Sequence, residues 1–115
     1  MRVVQFTRDR AHPITLFDSA GAFSVPLGDG SGEAHAYCVH IEAGGCIGEH
    51  PAGFGQLFLV VEGSGWAAGA DGARVALQAG QGALFERGER HSKGSEHGMT
   101  AILIQVAELT QRQSN

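Results

Sequence analysis

The segment from residue 44 to residue 65 constrains the fold more than any other part of the chain. It reads GGCIGEHPAGFGQLFLVVEGSG, so that glycines suited to tight turns surround a short apolar run. Residues 57–61, LFLVV, are apolar without alternation, which predicts a strand buried on both faces. His50 lies in the glycine-rich turn and is a candidate ligand for a metal ion.

Glycine makes up 18 of the 115 residues, well above the usual share of about 7%. These glycines have no repeat and separate short apolar runs, which predicts many tight turns and therefore an all-β sandwich or barrel. A chain of this length forms one domain, here 1–115. We predict N-terminal strands and a loop over 1–33, the barrel core over 34–107 and a polar tail over 108–115.

The order of apolar runs and turn residues predicts the individual strands. Residues 33–41 form a strand with two fairly apolar faces, as expected in the interior of a sandwich, and 42–45 form a turn. A tight turn at 63–65 leads into a returning strand that begins at Trp66. The remaining predictions are an edge strand at 1–6, a loop at 26–32, a hairpin turn at 70–72, strands at 74–77, 83–85 and 99–106, and a charged loop at 86–96. No helix is predicted.

Charge and hydropathy exclude two classes of function. The formal net charge is -4 and there is no cluster of lysine and arginine, so nucleic acid is not expected as a partner. No apolar run approaches the roughly 20 residues that span a bilayer, and the N-terminus lacks the apolar stretch of a signal peptide. We therefore expect a cytoplasmic protein.

Cys38 and Cys46 are the only cysteines. In a reducing cytoplasm they are expected to be small buried thiols, with a disulfide or a metal thiolate as the alternatives. Cys46 precedes His50 by four residues, so the two side chains share one face if the strand is regular.

Two stretches carry a family pattern, and the first surrounds His50. Gly44 is followed by five residues and then His50; Ala52, Gln56 and Gly63 follow at the spacing of a motif whose usual residues there are histidine, glutamate and glycine. This arrangement resembles the first motif of the cupins. The motif glycines and the first histidine are present, whereas the second histidine and the glutamate are replaced.

The second stretch resembles the second cupin motif. Gly80 is followed by five residues and then Glu86, where proline is usual, and Gly88 and His91 stand where the motif has glycine and histidine. Ser95 holds the position of the motif asparagine. The resemblance covers about residues 37–106 and implies a small jelly-roll barrel (a double-stranded β-helix) of two antiparallel sheets, with a ligand cavity inside and often a dimeric assembly.

The resemblance also implies a site for a divalent iron, manganese, nickel or zinc ion. The matching ligand positions hold His50, Gln56 and His91, with no carboxylate among them. The alternative is that these are polar pocket residues satisfied by hydrogen bonds and water. Further candidates for lining the pocket are Cys46, Phe58, Tyr37, Glu86 and Trp66.

Three functions remain open from the sequence. The first is a metal-dependent enzyme of the oxygenase or isomerase type, acting on a small polar organic molecule. The second is a non-catalytic module that binds or senses a small molecule without a metal. The third is a metal-free isomerase or epimerase in which a histidine acts as general base. A homodimer is expected in each case, because the predicted edge strand VVQF must be covered.

Overall fold

The computed structural model describes residues 1–112, and most of them lie in antiparallel strands. The strands are β1 (Arg2–Gln5), β2 (His12–Pro13), β3 (Phe23–Ser24), β4 (Gly28–Ile41), β5 (Cys46–Pro51), β6 (Gly55–Ala68), β7 (Arg74–Gln78), β8 (Gln81–Phe85), β9 (Arg90–Gly94) and β10 (Met99–Gln111). A single turn of 3-10 helix spans Arg8–Arg10. Within residues 1–112, no helix is long and apolar enough to cross a membrane.

Two antiparallel sheets share β6 and enclose the core. The first sheet has the strand order β1-β8-β6-β10-β4. The second is formed by β5, β9, the C-terminal part of β6, and β7. This arrangement confirms the predicted all-β jelly roll of two antiparallel sheets.

The apolar side chains form two clusters on opposite sides of the first sheet. The first cluster fills the space between the sheets and includes Phe58, Val60 and Leu103 of the first sheet and Ala67 and Leu77 of the second. The second cluster, built around Val4, Leu57, Leu59 and Leu84, lies on the outer face of the first sheet. Residues 57–60 thus alternate between two buried clusters, which confirms the predicted burial of this run on both faces, although Val61 is exposed.

The prediction of a tight turn at residues 63–65 is wrong, because β6 continues through it. Residues 56–59 pair with β8 in the first sheet, and residues 64–68 pair with β7 in the second. Gly63 lies at the bend with a φ of 77°, a conformation that residues with a Cβ rarely adopt. The glycines therefore bend one long strand from sheet to sheet, whereas a turn would separate two strands.

Three predicted segment limits are also wrong. The predicted loop at 26–32 contains the start of β4, because residues 28–31 pair with the end of β10. The predicted polar tail at 108–115 contains residues 108–111 of β10, while residues 113–115 lie outside the described residues. The predicted loop at 86–96 contains β9, which pairs with both β5 and β6.

The strand predicted to lie inside the sandwich, β4, is an edge strand and most of its residues are exposed. Its alternating apolar residues had indicated burial on both faces, but within residues 1–112 it pairs with β10 alone. Cys38 of β4 and Cys46 of β5 are free thiols, yet both are exposed, so the expectation of buried cysteines is wrong.

Candidate functional site

Two neighbouring strands of the second sheet bring His50 and His91 together. The residues form a cross-strand pair between β5 and β9, and their ring centroids are 4.5 Å apart. The exposed His50 donates from Nδ1 to the carbonyl oxygen of Gly48 at 2.7 Å, which leaves Nε2 of a neutral ring as an acceptor. His91 is fully buried against the Phe85 ring, with ring centroids 4.6 Å apart. The pair therefore links the surface to the barrel interior.

A bulge in β5 places His50 on the core-facing side. Ile47 pairs with Lys93 and His50 pairs with His91, so β5 uses three steps where β9 uses two. Ile47 packs against the cluster between the sheets, and the extra residue turns His50 to that same side. Cys46 pairs with Gly94 and faces the other way. The expectation that Cys46 and His50 share a face does not hold, because the strand is not regular.

The centre of the site is Lys93, the only lysine of the chain. Its side chain is 1% exposed. The ammonium Nζ donates to Gln56 Oε1 at 3.2 Å and to His91 Nδ1 at 3.0 Å, and it lies about 5 Å above the rings of Phe58 and Phe85. Among residues 1–112, no carboxylate forms an ion pair with Lys93. The barrel thus holds a buried cation whose protein partners are all neutral.

His91 has a second ring nitrogen without a partner. Because Nδ1 accepts a hydrogen bond from Lys93, Nε2 carries the ring hydrogen of the neutral imidazole. This buried Nε2 has no hydrogen-bond partner among the described residues, 1–112. The site thus holds an unused donor on the edge of the imidazole opposite Lys93. Leaving a buried donor without an acceptor costs about 1–3 kcal/mol of stability, which a ligand that accepts this hydrogen bond would recover.

Burial sets the charges of the two groups. Burial, together with the nearby positive charge of Lys93 and the ring of His50, lowers the pKa of His91 to about 4. Burial also lowers the pKa of Lys93, from 10.5 to about 8. At pH 7 the lysine is therefore charged and His91 is neutral, which agrees with the ammonium as donor and the imidazole as acceptor.

The other predicted pocket residues divide into two groups. Phe58 lies beneath Lys93, and Tyr37 lies on the core-facing side of β4, two residues from Val39, which packs against the cluster between the sheets. Trp66 is on the outer face of the second sheet, where its indole covers Gly94 and lies 3.8 Å from the Arg74 guanidinium carbon. Glu86 is exposed at a surface depression lined also by Arg2 and Arg87. Cys46, Trp66 and Glu86 are therefore not part of the Lys93 site.

Solved structures with the same topology are found among proteins of low sequence identity. A cupin-like protein from Thermotoga maritima aligns with a TM-score of 0.61 and 20% identity, covering 70% of this chain and 65% of that one. A cupin 2 conserved barrel domain protein from Salinispora arenicola aligns with a TM-score of 0.58 and 19% identity, over 64% of this chain and 62% of that one. The chain has the cupin fold.

A third cupin structure, a predicted oxalate decarboxylase from Thermotoga maritima, aligns with a TM-score of 0.58 and 19% identity, over 63% of this chain and 64% of that one. The aligned part is thus less than two thirds of each of these three chains. No family model matches the sequence, and no curated protein matches it. The comparisons therefore establish the cupin fold and leave the activity open.

The residues at the cupin metal position do not fit a divalent ion. Gln56 Oε1 accepts a hydrogen bond from the Lys93 ammonium. The same ammonium donates to His91 Nδ1, so that Nε2 of the neutral ring carries the hydrogen and has no free lone pair for a metal ion. Ala52 is buried at the second histidine position of the motif. Within residues 1–112, no group of three or more His, Cys, Asp or Glu side chains is arranged to hold a metal ion. The Lys93 ammonium would also repel a metal ion. Two unit positive charges 4 Å apart repel by about 4 kcal/mol at an effective dielectric constant of 20, and the repulsion doubles when one of them is a dication.

Lys93 is a candidate site residue that was not predicted from the sequence. It lies in the segment ERGERHSKGSE, which has the composition of a solvated loop. The signal that identifies it is its spacing from His91, because residues two apart on a strand face the same side. Once His91 is assigned to the cupin site, Lys93 must point into the same site if the segment is a strand.

Proposed function

We propose that this cupin binds a small organic anion in the barrel without a metal ion, and that Lys93 is the group that binds it. The observation that carries this assignment is a buried ammonium group with neutral partners only. A carboxylate is the simplest ligand that supplies the missing negative charge. This corresponds to the second of the functions left open by the sequence.

The energetics of burial support an anionic ligand. Removing an ammonium from water costs several kcal/mol even after the protein relaxes, and hydrogen bonds to neutral acceptors recover only part of that. A ligand carboxylate would accept a charge-assisted hydrogen bond from Nζ, which is about twice as strong as a neutral one. The folded protein therefore gains more from an anion at Lys93 than from a neutral molecule of the same shape.

The unused donor of His91 adds a second requirement. Nε2–H and the Lys93 contact lie on opposite edges of one imidazole ring, so a single carboxylate group does not reach both. A ligand that carries a further acceptor, such as a keto or hydroxyl oxygen, would satisfy Nε2–H as well. We infer that small acids with a second oxygen function bind more tightly than simple acids.

The test compares a charged ligand with its neutral isostere. Calorimetric titration at pH 7 uses propionate, pyruvate and propionamide with the wild type, Lys93→Met and Arg90→Met. Arg90→Met is the matched control, because it removes one positive charge from an exposed position of the same strand. We expect propionate to bind the wild type and Arg90→Met alike, pyruvate to bind more tightly than propionate, and Lys93→Met to bind propionate at least about tenfold more weakly.

Two results would overturn this proposal. The first is equal binding of propionate by the wild type and Lys93→Met, or no binding of any acid. The second is stoichiometric binding of Zn²⁺, Ni²⁺, Mn²⁺ or Fe²⁺ by the wild type that is lost in His91→Ala. The second result would restore the metal-dependent function instead.

A further inference from the structure

Three flat rings form a wall on the core-facing side of β4. The rings of Tyr37 and His35 have centroids 6.4 Å apart at an interplanar angle of 25°, and those of His35 and Phe54 have centroids 5.9 Å apart at 4°. His35 Nε2 donates to Glu33 Oε2 at 2.7 Å, which holds the middle ring in this orientation. The His35 and Phe54 rings are thus nearly parallel, and the Tyr37 ring is inclined to that of His35 by 25°.

The strand register connects this wall to the Lys93 site. Gln105 of β10 pairs with Gln56 on one side and with His35 on the other, so the three residues form one row across the sheet. Leu103 likewise lies between Phe58 and Tyr37 in the next row. Because neighbouring strands are about 4.8 Å apart, the wall lies about 10 Å across the sheet from the residues that contact Lys93.

The surface between these two points is suited to an apolar body. Leu103, which is 8% exposed, lies between Phe58, which is fully buried, and Tyr37, whose side chain is 49% exposed. The Arg87 guanidinium carbon lies 5.8 Å from the Phe54 ring centroid, and the same guanidinium pairs with Glu108 at 3.8 Å. The row from Phe58 to Tyr37 thus combines apolar side chains with one exposed aromatic ring.

We propose that the anion bound by Lys93 carries a flat aromatic group, which lies over Leu103 and stacks against the ring of Tyr37. This assignment rests on the binding of a carboxylate by Lys93 proposed above, and it names the class of ligand as aryl-substituted carboxylic acids. An aromatic ring gains from an offset or edge contact with another ring in addition to its buried area. An aliphatic ring of similar size gains only the buried area.

The test uses three acids that share one carboxylate and differ in the attached body. Calorimetric titration compares propionate, 3-cyclohexylpropanoate and 3-phenylpropanoate on the wild type, Tyr37→Leu and Tyr37→Phe. We expect the phenyl acid to bind the wild type about 2- to 12-fold more tightly than the cyclohexyl acid. Tyr37→Leu is expected to abolish that preference and Tyr37→Phe to retain it, while propionate binds all three proteins equally.

The possible results separate the two proposals. If propionate binds and the preference for the phenyl acid is absent, or is present and unchanged in Tyr37→Leu, the aromatic assignment is overturned while the role of Lys93 stands. If none of the three acids binds the wild type, both are overturned. Thermal unfolding of each variant verifies that it is folded, and the exposed position of Tyr37 makes loss of the fold an unexpected outcome.

Discussion

Lys93 and His91 form one buried polar centre in which the two residues carry different charges at neutral pH. The ammonium donates to Gln56 and to the imidazole, and the imidazole stays neutral because burial and the adjacent cation lower its pKa to about 4. The centre therefore holds one positive charge, and no carboxylate in the described part of the chain pairs with it. Such a charge lowers the stability of the free protein and favours a negatively charged ligand.

The lowered pKa of Lys93 predicts how the free energy of unfolding depends on pH. The folded pKa of Lys93 is about 8, below its ordinary value of 10.5, so between these values the unfolded chain binds one proton more than the folded protein. The free energy of unfolding must then rise with pH across this window, by up to about 3 kcal/mol. Chemical denaturation at pH 7.5 and pH 10.5 measures the rise, and Lys93→Met must lack it. A wild type and a variant with parallel profiles would contradict the assigned environment of Lys93.

The sequence predicts part of this site and misses its centre for identifiable reasons. The motif spacing identifies His50, Gln56 and His91, of which the two histidines are cross-strand neighbours and Gln56 and His91 share the Lys93 ammonium; their role as a set of ligands stays a prediction. Cys46 was expected on the side of His50, but a bulge reverses the alternation, and bulges have no strong signal in a single sequence. Lys93 was assigned to a solvated loop by its charged neighbours, and only the pairing of β9 reveals that it is buried.

At the scale of elements, β6 organises the molecule because it belongs to both sheets. Its first half lies between β8 and β10, and its second half lies between β7 and β9. The change of sheet occurs at Gly63, where a Cβ would clash with the carbonyl oxygen of Gly98. Gln56 lies in the first half of β6, in the first sheet, and its side chain meets that of Lys93 from β9 of the second sheet.

Gly63 and Gly72 provide a matched test of this bend. Both have a positive φ, 77° and 75°, but a Cβ at Gly72 meets no atom within 4 Å. Gly72→Ala should therefore lose only about 1–2 kcal/mol of stability from backbone strain, whereas Gly63→Ala should lose a further 1–3 kcal/mol or so from the clash. Equal losses of stability in denaturant titrations would show that the close approach at Gly63 is unimportant.

The sequence predicts where strands and turns lie more reliably than which strands pair with each other. Turns at 42–45 and 70–72 occur as predicted, since glycines with positive φ lie in each. The position of β4 was wrong because alternating apolar residues indicate a strand but do not specify whether both of its edges are paired. The prediction that a turn at Gly63 separates two strands was wrong, because glycine occurs at bends within a strand as well as in turns.

At the scale of the whole molecule, the homodimer expected from the sequence stays a prediction. The candidate for its interface is now the free edge of β4, where the sequence had suggested β1. The strand VVQF was expected to need a cover, and β1 pairs with β8 of the same chain. β4, by contrast, is a 14-residue edge strand whose two charged residues, Asp29 and Glu33, lie in its first half. Residues 34–41 contain no charged residue and no proline, so this half lacks the usual protection against pairing. Identical strands pair antiparallel about a two-fold axis, which makes a second copy the natural partner of this edge.

Light scattering at micromolar concentration tests the dimer. We expect twice the 12.0 kDa mass of one chain for the wild type, and a shift toward the monomer for Ala36→Lys on the exposed β4. Ala70→Lys, in the exposed turn before β7, is the control and should remain dimeric. A wild-type mass of one chain would refute the dimer, and an unaffected Ala36→Lys would exclude this surface of β4.

The most direct test of the Lys93 assignment is nuclear magnetic resonance of protein labelled with carbon-13 at the lysine Cε. The chain has one lysine, so a single signal reports its pKa. We expect about 8 for the free protein, a higher value with saturating 3-phenylpropanoate, because an anion stabilises the ammonium, and no change with Zn²⁺. A pKa near 10.5 that the acid does not move, or a pKa that Zn²⁺ lowers while the acid has no effect, would contradict an anion site at Lys93.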